Sequence, residues 1–221
     1  MGIFRALADN QNDTSLANRF RRKRFELFRS LVEPLPRPLT ILDVGGTENF
    51  WTRMGCTAAD GLHITLINLS SEPVSLSFIQ SMAGDARDLS RFPDGAFDVV
   101  FSNSVIEHVG DPADQEAMAE EIRRVGKRYF VQTPARSFPI EPHFLFPFFA
   151  VLPDPIRLFL IRRFNLGWYK KIPDREQAKS FLKGFQLLNS PQFTSLFPGG
   201  TLFKERMCGL TKSYIIHAGF K

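Results

Sequence analysis

The sequence predicts an α/β fold: a seven-stranded, mostly parallel sheet with helices on both faces and a Phe/Pro-rich insertion after the fifth strand. Three observations carry this expectation. Short apolar, β-branched runs alternate with helix-patterned segments between residues 39 and 134, the rhythm of strand–helix–strand crossovers. The runs are apolar almost throughout rather than at every second position, as strands covered on two faces are. The first run, LTILDVGG, ends in an Asp and two glycines, at the carboxyl edge where open parallel sheets take their ligands.

The elements follow in order. Asp13 or Thr14 can cap a helix that reaches about Val32, where Pro34, Pro36 and Pro38 stop it. LTILDVGG is a buried strand leading into a short helix over 48–54. HITLINLS and SFIQSMAGDA supply the second and third strands, and AFDVVFSNS, introduced by Pro93, Asp94 and Gly95, the fourth. Asp111 and Pro112 open a helix to about Val125, with Ala113, Met118, Ala119, Ile122 and Val125 as its apolar positions. KRYFVQTP is the fifth strand. After Pro134 the alternation breaks into a Phe- and Pro-rich stretch with short helices at most. A helix over 174–188 and two closing strands, TLFKERMCGL and TKSYIIHAGF, complete the pattern. One domain over residues 1–221 is the simplest organisation, with 1–38 an N-terminal helical segment and 135–172 an insertion or lid over an acceptor site.

Composition narrows the class. At 221 residues, 43% hydrophobic and 23% charged, the chain can bury a full core and is not a disordered tract. Cys56 and Cys208 are too few for a disulfide framework or a zinc cluster, which fits a reducing compartment. No apolar run is long enough to span a bilayer, and the N-terminus lacks a signal-peptide core, so a cytoplasmic location is expected. Much of the net charge of +5 lies in Arg19, Arg21, Arg22, Lys23 and Arg24. The helix pattern puts these on a wet face, with Phe20, Phe25, Leu27, Phe28 and Leu31 turned inward; a phosphate-binding patch is the other reading.

The turn after the first strand constrains the ligand. Gly45 and Gly46 clear the backbone for close approach. The spacing is wrong for the G-x-G-x-x-G turn that cradles a pyrophosphate, and Glu48 would repel phosphate. A cationic or zwitterionic ligand fits better.

With these motifs in place, the sequence resembles the class I S-adenosylmethionine-dependent methyltransferases, especially their type-11-like group, over about residues 39–134. The resemblance implies a Rossmann-like sheet and S-adenosyl-L-methionine as cofactor. The family pattern D-x-G-x-G-x-G falls on Asp43, Gly45, Thr47 and Asn49, with Gly46 between, so its last two glycines are replaced. Where the family carries an acidic ribose ligand this chain has Asn68, whose amide can both accept and donate. Asp85 and Ala86 occupy the adenine-binding loop, and Asn103 and Ser104 the positions beside the methionine end. A narrower resemblance is to bacterial sugar O-methyltransferases, including those of mycobacterial methylmannose polysaccharide synthesis. A small-molecule or saccharide hydroxyl is therefore the expected acceptor, with RNA methylation, or cofactor binding without turnover, as the alternatives.

Methyl transfer to a hydroxyl needs a base, and neutral histidine suits it. Of four histidines, His63 and His217 fall away from the expected site. His143, with Glu141 in the Pro-stiffened FPIEPHF, is the first candidate; Glu107 and His108, in a pair that some relatives use for catalysis or a divalent metal, are the second. Trp51, Trp168 and Tyr169 could stack on a sugar. The apolar insert reads as lid or core, as a homodimer surface, or as a peripheral membrane contact, with Arg162 and Arg163 beside Phe159 and Phe164. A dedicated nucleic-acid partner is disfavoured, because no basic–aromatic stripe is present.

Overall fold

The structure, a computed structural model, describes residues 15–140 and 144–220. Its seven strands are β1 (Leu39–Val44), β2 (Leu62–Asn68), β3 (Ile79–Ala83), β4 (Val99–Asn103), β5 (Tyr129–Pro134), β6 (Thr201–Met207) and β7 (Leu210–Ala218). Its six α-helices are α1 (Leu16–Val32), α2 (Glu48–Arg53), α3 (Pro112–Val125), α4 (Asp154–Arg163), α5 (Arg175–Lys183) and α6 (Ser190–Leu196).

The strands form one sheet in the order β3-β2-β1-β4-β5-β7-β6. The first five run parallel, and β7 is antiparallel to both β5 and β6. The chain starts at the centre, winds outward through β2 and β3, then returns to place β4 beside β1. Strand order therefore reverses between β1 and β4, and the loops leaving those two strands diverge to open a crevice at the carboxyl edge.

Helices cover both faces. On one, α1 and α2 lay Phe25, Phe28, Phe50 and Trp51 against Phe101 and Phe130 of the sheet. Phe28 is 1% exposed, with ring centroids 4.9 Å from Phe101 and 5.4 Å from Phe130. On the other face, α3 contributes Met118, Ala119, Ile122 and Val125, and α6 contributes Phe193. Helix starts obey local chemistry. Ser15 caps α1 by accepting from Asn18 N at 3.1 Å, and Asp111 caps α3 in a reciprocal box with Asp114. The expected cap at Asp13 or Thr14 lies outside the described residues.

Four details differ from the sequence reading. Arg24 is buried, one turn before Phe28 on the same stripe, so the basic run is not wholly a wet face. The stretch after Pro134 holds a ten-residue helix, α4, longer than the short helices expected there. The helix expected over 174–188 ends at Lys183, and α6 follows as a separate helix capped by Asn189. The final turn sits at Cys208 and Gly209, with φ of 51° and 79°, the paired left-handed angles of a two-residue hairpin.

The insert has its own small core. Phe144, Phe149, Ile161, Leu166, Ala178, Leu182 and Phe185 pack together between α4 and α5. Among the described residues no helix is long and apolar enough to cross a membrane.

Phe28→Ala should cost about 3–5 kcal/mol, the usual loss for a fully buried aromatic ring. Urea denaturation would show this as a lower midpoint at unchanged slope; a loss below about 1 kcal/mol would mean that α1 is not anchored as described.

Candidate functional site

Asp43 stands at the carboxyl end of the central strand, only 1% exposed. Its Oδ2 accepts a hydrogen bond from Trp51 Nε1 at 2.7 Å. Burial pushes the carboxyl pKa up to about 8, with the Trp51 bond pulling the other way. The glycines that follow are bare for the protein's own reasons. A Cβ on Gly46 would lie 1.7 Å from Asp43 Oδ2, and one on Gly45, whose φ is 76°, would lie 2.4 Å from Val105 Cγ2. Gly46 thus makes room for Asp43, a constraint that the sequence reading did not include.

The replaced glycines of the turn are accounted for locally. Thr47 is extended (φ −136°) and caps α2, accepting from Phe50 N at 3.3 Å, so no left-handed angle is needed there. Asn49 lies within α2 and accepts from Arg53 Nε at 3.2 Å; its tolerance of left-handed angles goes unused. Glu48 accepts from Ser75 N at 2.7 Å and from Ser75 Oγ, and these bonds hold its carboxyl below the usual range.

Two cavities meet this turn, and Gly45 lines both. One, of about 190 Å³, is walled by Ile67, Asn68, Asp85, Ala86, Val105 and His108. Asn68 donates its amide to Gly46 O at 3.0 Å, which leaves its Oδ1 as an acceptor. Asp85 is gripped by Arg87, which keeps its carboxyl ionised and low in pKa; a carboxylate has lone pairs for a further donor. The other cavity, of about 270 Å³, is walled by Arg21, Asp43, Gly46, Phe50, Arg53 and Asn103.

The larger cavity has two electrostatic poles. Arg21 is pulled down to about 10 by burial and by its neighbours Arg24 and Arg53. Behind it, Arg24 donates to Asn103 Oδ1 and pairs with Glu205 at 2.9 Å. Ser213 Oγ also donates to Glu205, and Lys212 lies 3.6 Å away, pulled down to about 8 mainly by burial. Asp43 stands at the opposite pole as a carboxyl that burial has stripped of solvation. A ligand carrying a cation at one end and a carboxylate at the other would relieve both strains.

Ser104, beyond β4, takes a left-handed φ of 60° and donates its Oγ to Gln132 Oε1 at 2.9 Å. Glu107 is fully buried and accepts from Thr133 Oγ1 at 3.0 Å, with His108 Nε2 3.9 Å from its other oxygen. His108 faces Phe185 of the insert, ring centroids 5.1 Å apart, and lines the smaller cavity. Glu141 and His143 lie outside the described residues. Among the described residues no group of three or more His, Cys, Asp or Glu could hold a metal ion. Trp51 is wholly buried, so it cannot stack on a sugar as the sequence allowed, while Trp168 is exposed.

Sequence reasoning passed over Arg21 and Arg53. The signal for Arg21 was present: positions 21, 24, 25 and 28 form one helical stripe, and two of its members are Phe. Arg53 is one turn from Asn49 on α2.

Residues 42–129 match the family described as Methyltransferase domain. No curated protein matches the sequence. Among solved structures, CurJ carbon methyltransferase superposes with a TM-score of 0.60 at 15% identity over 95% of this chain; the chain spans only 56% of that one. A SAM-dependent methyltransferase from Methanosarcina mazei gives 0.55 at 16% identity, over 85% of this chain and 95% of that one. The 1,6-didemethyltoxoflavin-N1-methyltransferase of Burkholderia thailandensis, with 1,6-didemethyltoxoflavin and S-adenosylhomocysteine bound, gives 0.52 at 12% identity, over 90% and 76%. At such identities the likeness is one of fold.

The Asp43 carboxyl gives the protein a pH signature. Folded, it keeps its proton up to about pH 8; unfolded, it releases it near the ordinary value of 3.8. Between these values the unfolded chain binds fewer protons, so this group's contribution to stability falls as pH rises. Asp43→Asn keeps an acceptor for Trp51 and removes the titration. Its melting temperature relative to wild type should climb steadily from pH 5 to pH 8; a constant difference across that range would contradict the burial argument.

Proposed function

We propose, from the match of residues 42–129 to the methyltransferase-domain family, that the protein is a class I, S-adenosylmethionine-dependent enzyme that O-methylates a small-molecule acceptor, with a saccharide hydroxyl as the first class to test. The observation that carries this reading is the pair of cavities sharing Gly45, one fitted for a nucleoside and the other for an amino acid.

The residues fit S-adenosylmethionine. Asn68 Oδ1 would accept from a ribose hydroxyl, Asp85 and the Ala86 backbone would read the adenine edge, and Ile67 and Val105 would sandwich the base. In the larger cavity Asp43 would face the ammonium group, while Arg21 and Arg53 would face the carboxylate, with Asn103 also lining the wall and Ser104 following it in the chain. Bound there, the cofactor would supply an electrophilic methyl group for displacement by the acceptor oxygen, with the neutral thioether as leaving group. The chain's part is alignment, which is the largest contribution available to a displacement of this kind.

The hydroxyl proton must leave as the C–O bond forms. We assign it to a histidine, His143 first and His108 second. His108 borders the smaller cavity, a position better suited to holding the nucleoside than to meeting the acceptor. Fully buried Glu107 would act as a positioning residue.

Incubation with methyl-labelled cofactor and a panel of saccharides, small alcohols and total RNA tests this reading. Label should pass to a small molecule, with S-adenosylhomocysteine released. His143→Ala should lower kcat by about 10²–10⁴-fold without weakening cofactor binding, whereas His108→Ala should weaken binding. Label in RNA, or binding with no turnover on any acceptor, would overturn the assignment.

A further inference from the structure

Nine large hydrophobic side chains are strongly exposed among the described residues, and six of them lie between residues 148 and 168: Phe148, Val151, Ile156, Phe159, Phe164 and Trp168. This concentration is not spread evenly as ordinary surface apolar residues are. Helix α4 shows why. Ile161 turns inward, 3% exposed, into the insert's core, yet Ile156 and Phe159 on other sides of the same helix are 46% and 56% exposed. Phe164 meets Phe159 edge-on at 6.4 Å, so these two outer side chains are paired rather than isolated points. The helix thus carries large apolar side chains on its exposed side as well as on its packed one.

The charge around this patch is equally uneven. Residues 144–185 hold eight Lys or Arg against three Asp or Glu, a net +5 that equals the net charge of the entire chain. Arg163, Lys170 and Lys171 are exposed beside Phe164 and Trp168, and Arg162 is half-buried, donating to Pro173 O at 3.0 Å. Pro153 and Asp154 start the helix on the exposed side.

We propose that this insert docks on an anionic lipid surface, with Phe148, Ile156, Phe159, Phe164 and Trp168 entering the interface and the flanking cations resting among headgroups. Charge decides between occupants. A second copy of the chain packed through the same patch would set +5 against +5, since a twofold contact repeats the same surface on both sides, and like charges across an interface cost affinity. A polyanion without an apolar phase would leave the rings in water. A bilayer carrying negative headgroups satisfies both the rings and the cations. The inference does not depend on methyl transfer, because docking requires neither cofactor nor acceptor.

Co-sedimentation of the full chain with phosphatidylcholine vesicles, with and without phosphatidylglycerol, tests it. Binding should require phosphatidylglycerol and weaken at high salt. The double variant Arg163→Gln, Lys171→Gln should lose about fivefold in partitioning per cation removed, from roughly 1 kcal/mol each. Phe159→Ser with Trp168→Ser should abolish binding, while both variants keep the wild-type circular dichroism spectrum and cofactor affinity, since every altered side chain is exposed. Failure to bind phosphatidylglycerol vesicles would overturn the proposal, as would equal binding to uncharged ones. So would a dimer in sedimentation velocity that the Phe159→Ser, Trp168→Ser pair dissociates.

Discussion

A carboxyl group buried at the inner end of the central strand is the constraint from which the rest of this site follows. Asp43 is almost wholly removed from water and has one side-chain partner, the Trp51 indole. Satisfying that single bond dictates what surrounds it. Trp51 must sit on a helix starting immediately after the turn, which Thr47 caps. Gly46 must lack a side chain, because the carboxylate occupies the space a Cβ would need. The aromatic face of α1 must close over Trp51, and Phe25 and Phe28 do so with edge-on contacts at 5.8 Å and 6.2 Å. The cost appears as a carboxyl that resists ionisation until something positive arrives.

The basic end of the larger cavity completes that picture. Arg24 and Lys212 share one carboxylate, Glu205, while Arg21 stands near Arg24 and Arg53, and Arg21 and Lys212 are both pushed toward losing their protons. Such an arrangement is expensive in an empty protein and becomes favourable when an anion is supplied. The opposite pole wants a cation. A zwitterionic amino-acid moiety would answer both, which is the reason for the cofactor orientation we propose. The same strain couples the N-terminal helix to the site: Arg24 reaches from α1 to Asn103 at the end of β4 and to Glu205 on β6, so closing α1 over the sheet also shapes the pocket floor.

Legibility in the sequence followed the range of the interactions involved. The parallel core was readable because each strand is a continuous apolar run and each crossover helix is announced by local caps such as Asp111 and Pro112. The placement of Asn68 and Asn103 at strand ends, with Asp43 one residue inside the end of β1 and Asp85 two beyond that of β3, was readable because strand ends at a sheet's carboxyl edge have one place to go. The bond between Asp43 and Trp51 spans eight residues and two elements, so the room that Gly46 leaves for the Asp43 carboxyl was not readable. Arg21 and Arg24 were misread because charge was weighed above helical phase. Their stripe, shared with Phe25 and Phe28, was the better guide. The insert resisted reading for a different reason: α4 mixes apolar and charged side chains all round, so it carries no amphipathic phase from which to infer which face packs.

The central claim is that the crevice around Gly45 holds the cofactor with its nucleoside beside Asn68 and Asp85 and its amino-acid end between Asp43 and Arg21. A crystal structure of the protein with S-adenosylhomocysteine tests it most directly. The account predicts one ligand spanning both cavities, its ammonium group against Asp43 and its carboxylate toward Arg21 and Arg53. A ligand in the reverse orientation, or both cavities vacant at saturating concentration, would contradict it.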